Sequence, residues 1–284
     1  MDFLWHLLAT ISITLPHVLG YNLLFGKGKI FHFGPIGVSL ACAYALFLTF
    51  DATGNVLVAF LAGGATATLL SIFFSWLALR LEPDGLGVLS IAVHLMVLTI
   101  VLNWNALTRG ALGIPHIPRL PFMENLPSFA LVSLLIATVW TVLLWRIHQS
   151  TLGRKLTALA EHHWHAQALG IDRWKVQTVA FLIAGAGALI TAMLYPQYLA
   201  LLHPNDYRFD TFIFTVMVVI AGGPGNVPGV VLSTTLLLLL KEGLRFLPLP
   251  LAMVGPLRLL LFGGILFAAV WLRRDTLFPK PRTI

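Results

Sequence analysis

The feature that most constrains this chain is a succession of long stretches without one ionised side chain. Residues 56–79, 129–145 and 176–194 contain no Asp, Glu, Lys or Arg, and each is about long enough to cross a hydrocarbon core of roughly 30 Å as a helix. No water is present in such a core to satisfy peptide groups, so only helices and closed barrels can span it. The alternating apolar and polar residues of barrel strands are absent, which leaves helices. With 58% hydrophobic and 10% charged residues, the composition is far from that of a soluble domain. The expected architecture is therefore all-α: a single polytopic transmembrane domain over residues 1–284.

About nine hydrophobic segments follow one another, near residues 3–25, 31–50, 56–79, 86–103, 127–147, 174–200, 210–222, 229–247 and 256–272, predicting about eight to ten spans. The first has no basic leader and no small-residue cleavage site, and is expected to be a retained span. The net charge of +7 does not by itself point to nucleic acid, because in a membrane chain the placement of Lys and Arg carries the information. With loops assigned to alternate sides, twelve of the eighteen basic residues fall on one side, among them Lys27, Lys29, Arg80, Arg154, Arg173 and Arg274. Arg109, Arg119, Arg208, Lys241, Arg245 and Arg258 fall on the other. The bias predicts a cytoplasmic first side, an N-terminus outside and a C-terminus inside. Cys42 is the single cysteine, so no disulfide can form within the chain, and the Trp residues cluster near segment ends, where indoles favour the lipid interface.

The longest loop on the basic side, residues 150–172, contains "TLGRKLTALAEHHWHAQALG". It lacks proline, places Leu152, Leu156 and Leu159 at helical spacing, and ends in Gly170, suited to the left-handed position past a helix end. It reads as a helix outside the membrane, and Asp172 is positioned to cap a new helix entering the membrane from Arg173. On spacing alone, a plain connection between spans is an equal alternative.

Particular residues go further. "AEHHWHAQALGIDRWKVQTVAFLIAGAGALITAMLY" resembles the cytoplasmic coupling region of LivM-type permeases of branched-chain amino acid ABC importers. "YNLLFGKGKIFHFGPIGVSLACAYA" is similar to that family's Gly-punctuated N-terminal motif, with Asn22, Gly26, Gly28, Phe33, Gly34, Gly37, Ala43 and Tyr44 in order. "NWNALTRGALGIPHIPRL" resembles its outward-facing loop, and "VMVVIAGGPGNVPGVVLSTTLLLLLKEGLRF" its late Gly-rich break. The resemblance implies one membrane subunit of an ATP-driven importer for a branched-chain or related amino acid, with urea or short amides as the alternative cargo. It also implies a second, LivH-like permease, two cytoplasmic ABC ATPases and an external solute-binding protein as partners, and the bacterial inner membrane as the location. Glu161, His162, His165, Ala166, Ala168 and Gly170 would contact or transmit force from the ATPase. The sequence departs from the family where Ala160 stands for a typical Arg, His162 and His163 for acids and His165 for a small Ala; histidine changes charge at about pH 6.5, which would make docking pH-sensitive.

The chain is not expected to bind ATP or magnesium itself, nor to need a cofactor. "FGKGKIF" lacks the G-x-x-x-x-G-K-[ST] spacing, and Ile30 after Lys29 cannot ligate magnesium. His162 and His165 could ligate zinc only with a third ligand such as Glu161 or Cys42, and no metal is expected. An ion-coupled secondary transporter would need intramembrane acids, and an intramembrane enzyme a clustered nucleophile and base; neither is evident around His94. Buried polar positions in the spans, Asn22 and His94, and the break at Gly223, Pro224, Gly225 and Asn226 are the candidate path or gate residues. Each polar side chain fits a packing or interfacial group better than a solute ligand, and the break serves equally as an interhelical loop.

Overall fold

The computed structural model describes residues 2–243 and 251–272. In chain order the helices are α1 (Asp2–Tyr21), continued by a π-helical turn (Asn22–Lys27), then α2 (Pro35–Thr53), α3 (Val56–Arg80), α4 (Pro83–Asn103), the short α5 (Asn105–Thr108) and α6 (Leu126–Gln149). They continue with α7 (Thr151–Glu161), α8 (His163–Ala168), α9 (Arg173–Leu199), α10 (Phe209–Gly222), α11 (Val227–Gly243) and α12 (Leu251–Leu272). Two dipeptides, β1 (Ile114–Pro115) and β2 (Leu201–Leu202), form the one ladder among the described residues, antiparallel with Ile114 opposite Leu202.

Each of the nine expected segments is helical where described, except residues 31–34 of the second and Ala200 at the end of the sixth, and the fold is an all-α polytopic bundle. Among the described residues, six helices are long and apolar enough to cross a membrane. By contrast α10 has 14 residues and ends at the Gly-rich break that separates it from α11. Residues 244–247 of the eighth segment, together with Arg245, Arg273, Arg274, Lys280 and Arg282, lie outside the described residues.

The bundle is organised around α1, whose residues from Ser12 to Leu24 are almost all buried. It runs antiparallel to α9: Thr191 Oγ1 donates to the Ile13 carbonyl at 2.8 Å, and Ala184 packs on Gly20 further along. Proline at position 16 cannot donate to the helix ladder, and its own carbonyl accepts from Trp140 Nε1 at 3.1 Å. A Cβ on Gly187 would lie 2.4 Å from that carbonyl oxygen, so the small residues of "IAGAGALITA" are what let α9 approach α1 so closely. Leu61, Leu69, Val88, Leu135 and Val139 are exposed on α3, α4 and α6. An apolar surface of this extent is unfavourable in water and suits contact with lipid chains.

Between α6 and α9 the chain turns at one end of the bundle through α7 and α8, while β1, β2 and the loops from 104 to 125 cap the other end. The surface helix expected over 151–170 is two helices. At His162 the backbone is extended (φ −148°, ψ 93°), ending α7 and starting α8, where its carbonyl accepts the Ala166 N–H at 3.0 Å.

Candidate functional site

Two structural features stand out, one at each end of α1. At the α7 end, the π-helical turn places Asn22 in a fully buried position. Its Oδ1 accepts the Gly225 N–H at 2.8 Å, and its Nδ2 lies 3.5 Å from His148 Nε2, at the long limit of a hydrogen bond. Because His148 Nδ1 is 2.8 Å from the Leu144 carbonyl, that nitrogen carries the hydrogen and Nε2 is left as an acceptor for Asn22.

Gly225 is held here because Gly223 and Gly225 adopt φ of 95° and 81°, a region that side chains with a Cβ rarely enter. Asn226 then starts α11, its carbonyl accepting the Val230 N–H at 3.0 Å. A Cβ on Gly26 would stand 2.1 Å from Gly225 N and 2.5 Å from Asn22 Oδ1. The backbones of the π-helical turn and of the α10–α11 break therefore touch directly. On the other side of the same turn, Leu156 of α7 packs against Gly28, within 3.3 Å of where a Cβ would be. The hairpin itself is tight: Ser233 Oγ donates to the Val218 carbonyl at 2.7 Å.

The corner beyond α7 is also defined by hydrogen bonds. Ile171 N donates to the Ala166 carbonyl at 3.1 Å and Gly170 N to the Gln167 carbonyl at 2.9 Å, the paired closure that ends a helix on a left-handed residue. Gly170 has φ 82° and open space around it. Asp172 caps α9, accepting the Lys175 N–H at 3.1 Å, and that bond holds its carboxyl below the usual carboxylate range. Glu161, His162, His165 and Ala168 are exposed and Ala166 is buried. The His162 and His165 rings lie 5.2 Å apart, and among the described residues no group of three ligands could hold a metal.

Toward the opposite end, α1, α2, α9, α10, α11 and the turn at Pro204–Tyr207 enclose a cavity of about 380 Å³. Thr10, Thr14 and His17 line it from α1, Ser39 from α2 and Thr191 from α9. Asp206, Tyr207, Asp210 and Lys241 bring charge and hydroxyl to its wall, and Ile13, Ile36, Phe214 and Leu238 complete the lining. His17 and Tyr207 are both about 5% exposed, and neither His17 Nε2 nor the Tyr207 hydroxyl has a hydrogen-bond partner among the described residues. Desolvation pushes the Asp206 carboxyl up, opposed by His203 and Lys241, and burial pushes the Tyr207 hydroxyl up.

The structure thus brings Asn22 and Gly225 into direct contact, with Gly223, Pro224 and Asn226 beside them. His94 lies elsewhere, buried against Gly37, with neither ring nitrogen hydrogen-bonded among the described residues. The cavity residues were not singled out from sequence, although one signal existed: Thr10, Thr14 and His17, at i, i+4 and i+7, form a polar stripe on an otherwise apolar helix.

A multi-pass helical bundle with a polar cavity between its helices, and a broken helix pair packed on the turn beside a surface helix, is an arrangement that suits a membrane permease. The chain belongs to the family described as the permease component of the branched-chain amino acid transport system, which matches residues 3–270. It is 26% identical over 93% of its length to the high-affinity branched-chain amino acid transport permease LivM of Salmonella typhimurium, and 25% identical over 77% to LivM of Escherichia coli. It spans 67% and 56% of the length of those two relatives. The corresponding permease LivH of Escherichia coli is 25% identical over 81% of this chain and 78% of its own length. No solved structure matches the chain.

Proposed function

We propose that this chain is one permease subunit of an ATP-driven importer and forms, with a second LivH-like permease, the path for a branched-chain or related amino acid. In this reading residues 1–284 are one permease domain in the bacterial inner membrane, with the N-terminus outside, the C-terminus cytoplasmic and the 150–172 loop facing two ABC ATPases. Those ATPases bind the ATP and magnesium, and a solute-binding protein delivers cargo to the cavity end. One observation supports the orientation: the basic residues are concentrated at the α7 end.

The observation that carries the reading is the unbroken line of contact from α7 to the broken helix pair. Leu156 of α7 packs on Gly28, the same turn holds Gly26 against Gly225, and Asn22 bonds the Gly225 N–H at 2.8 Å. Movement of α7 on an ATPase would displace this turn and with it α10 and α11, both of which line the cavity. Glycines at the contact leave no side chain to absorb the displacement, so the backbone moves as a unit. Gly170 and the capped start of α9 would transmit the same movement to a second cavity helix.

The test is affinity purification from the native membrane with mass identification of partners, beside a Glu161→Lys variant. Two ATPase chains and a second permease should copurify, and the variant should lose the ATPases. A chain that purifies alone refutes the complex, and ATPases retained by the variant refute the assignment of α7–α8 as the essential contact.

A further inference from the structure

His17 borders two spaces at once. On one side lies the cavity of about 380 Å³, and on the other a void of about 20 Å³ between α1, α2, α3 and α9, room for one water molecule. No other described residue lines both. Three of the residues around the smaller void carry an unsatisfied polar atom: His17 Nε2, the Tyr21 hydroxyl and His32 Nε2. These residues are at most 5% exposed, and none of the three atoms has a hydrogen-bond partner among the described residues. Buried atoms of this kind call for a ligand or water. Tyr21 follows His17 by one helical turn on the same face of α1, and its ring lies 6.0 Å from that of His32. The hydrogen-bonding characters are complementary. His32 Nδ1 accepts the Gly34 N–H at 3.3 Å, so a neutral His32 carries its hydrogen on Nε2. Ser39 Oγ lies 3.3 Å from both His17 Nδ1 and the Ala188 carbonyl. When Ser39 gives its single hydrogen to that carbonyl, His17 carries its own hydrogen on Nδ1 and presents Nε2 as an acceptor. One water satisfies all three groups: it accepts from His32, donates to His17 and shares a third bond with the Tyr21 hydroxyl, the usual number for a buried water.

We propose that this void is a site for one bound water, held by His17, His32 and Tyr21, and that the His17 ring it holds is the inner gate of the large cavity. The two histidines differ in how they are fixed. His32 packs on both Phe74 and Phe181, with ring centroids 5.6 and 5.1 Å away, whereas the one hydrogen-bonding contact of His17 among the described residues is to Ser39, at 3.3 Å. Loss of the water bond therefore frees His17 and not His32, and rotation of the His17 ring joins the void to the cavity. The void lies toward the π-helical turn, since Tyr21 and Leu24 line it and the adjacent Asn22 bonds Gly225. A displacement of that turn moves the Tyr21 hydroxyl and loosens the water. The inference deepens the importer reading, on which it rests for the source of that displacement, by naming the residue through which movement of α7 reaches the cavity.

The experiment uses the full chain as purified from its membrane and compares two thiols toward methyl methanethiosulfonate, a small neutral reagent: Thr14→Cys in the cavity wall and Val38→Cys in the wall of the void. Cys42 is buried, so the parent chain gives the background and a reactive Cys42 reports a loosened fold. Thr14→Cys should react readily and Val38→Cys slowly. Adding His17→Ala should bring Val38→Cys to the Thr14→Cys rate. Adding Tyr21→Phe, which keeps the ring and removes only the hydroxyl, should accelerate Val38→Cys about fivefold, the factor of one lost hydrogen bond, and leave Thr14→Cys unchanged. Val38→Cys as reactive as Thr14→Cys from the start, Val38→Cys still slow beside His17→Ala, or a rate indifferent to Tyr21→Phe would each overturn the gate; where His17→Ala exposes Cys42, the Tyr21→Phe result decides. Because this assay needs no ATPase, copurifying ATPases with a rate indifferent to Tyr21→Phe remove only the gate, and the expected rates without ATPases remove only the importer.

Discussion

Replacing Gly26 by alanine is the sharpest single perturbation of the line between α7 and the broken helix pair. The added Cβ would lie 2.1 Å from Gly225 N and 2.8 Å from Gly225 Cα, and neither atom belongs to a side chain that can rotate away. Overpacking of this kind costs about 1–3 kcal/mol. The same Cβ stands 2.5 Å from Asn22 Oδ1, so relaxation separates Asn22 from Gly225 and leaves a buried acceptor or N–H unpaired, a further loss of about 1–3 kcal/mol. The expected destabilisation is therefore about 2–6 kcal/mol, the sum of these two ranges. Thermal inactivation in detergent measures it, and a cycle with Asn22→Ala apportions it. Asn22→Ala alone should cost about 1–3 kcal/mol by leaving the Gly225 N–H without its partner. The double variant should be less destabilised than the sum of the two singles, because removing the amide relieves one of the clashes. A Gly26→Ala chain within about 0.5 kcal/mol of the parent, the range of an ordinary surface substitution, would refute the close backbone contact.

The corner before α9 gives two more expectations. Asp172 has its folded carboxyl held below the unfolded value of about 3.9, chiefly by the Lys175 N–H, so its contribution is present above that value and is lost as pH falls through the lower folded one. Hydrogen exchange at the Lys175 amide should accelerate in Asp172→Ala at neutral pH, and the variant should lose its difference from the parent in strong acid; equal protection at pH 7 would remove the cap. Gly170 meets open space at φ 82°, so Gly170→Ala should cost only the left-handed backbone penalty of roughly 1–2 kcal/mol, and Gly170→Asn less, read by thermal inactivation; a larger loss for Asn than for Ala would contradict the cause.

Much of this architecture was legible in residues taken one stretch at a time. The absence of charge over whole spans fixes helices in a hydrocarbon environment, and Gly170 and Asp172 declared a helix end and a helix start because left-handed geometry and N-terminal capping are local requirements. No residue near His162 is a strong helix breaker, so a single helix is expected there from sequence, whereas the structure has two. The extended His162 backbone accompanies a fold in which Leu156 and Leu159 of α7 and Ala166 of α8 are all buried.

What the sequence by itself determined is which segments form apolar helices, which loops carry the charge, and the family to which the chain belongs; these depend on transfer free energies and short-range motifs that need no knowledge of the fold. What only the tertiary structure decided is which distant residues meet. Asn22 and Gly225 are 203 positions apart, and the groups from α1, α2, α9, α10 and α11 form one cavity because helices in lipid pack through close backbone approach at small residues, whose pairings no single segment encodes.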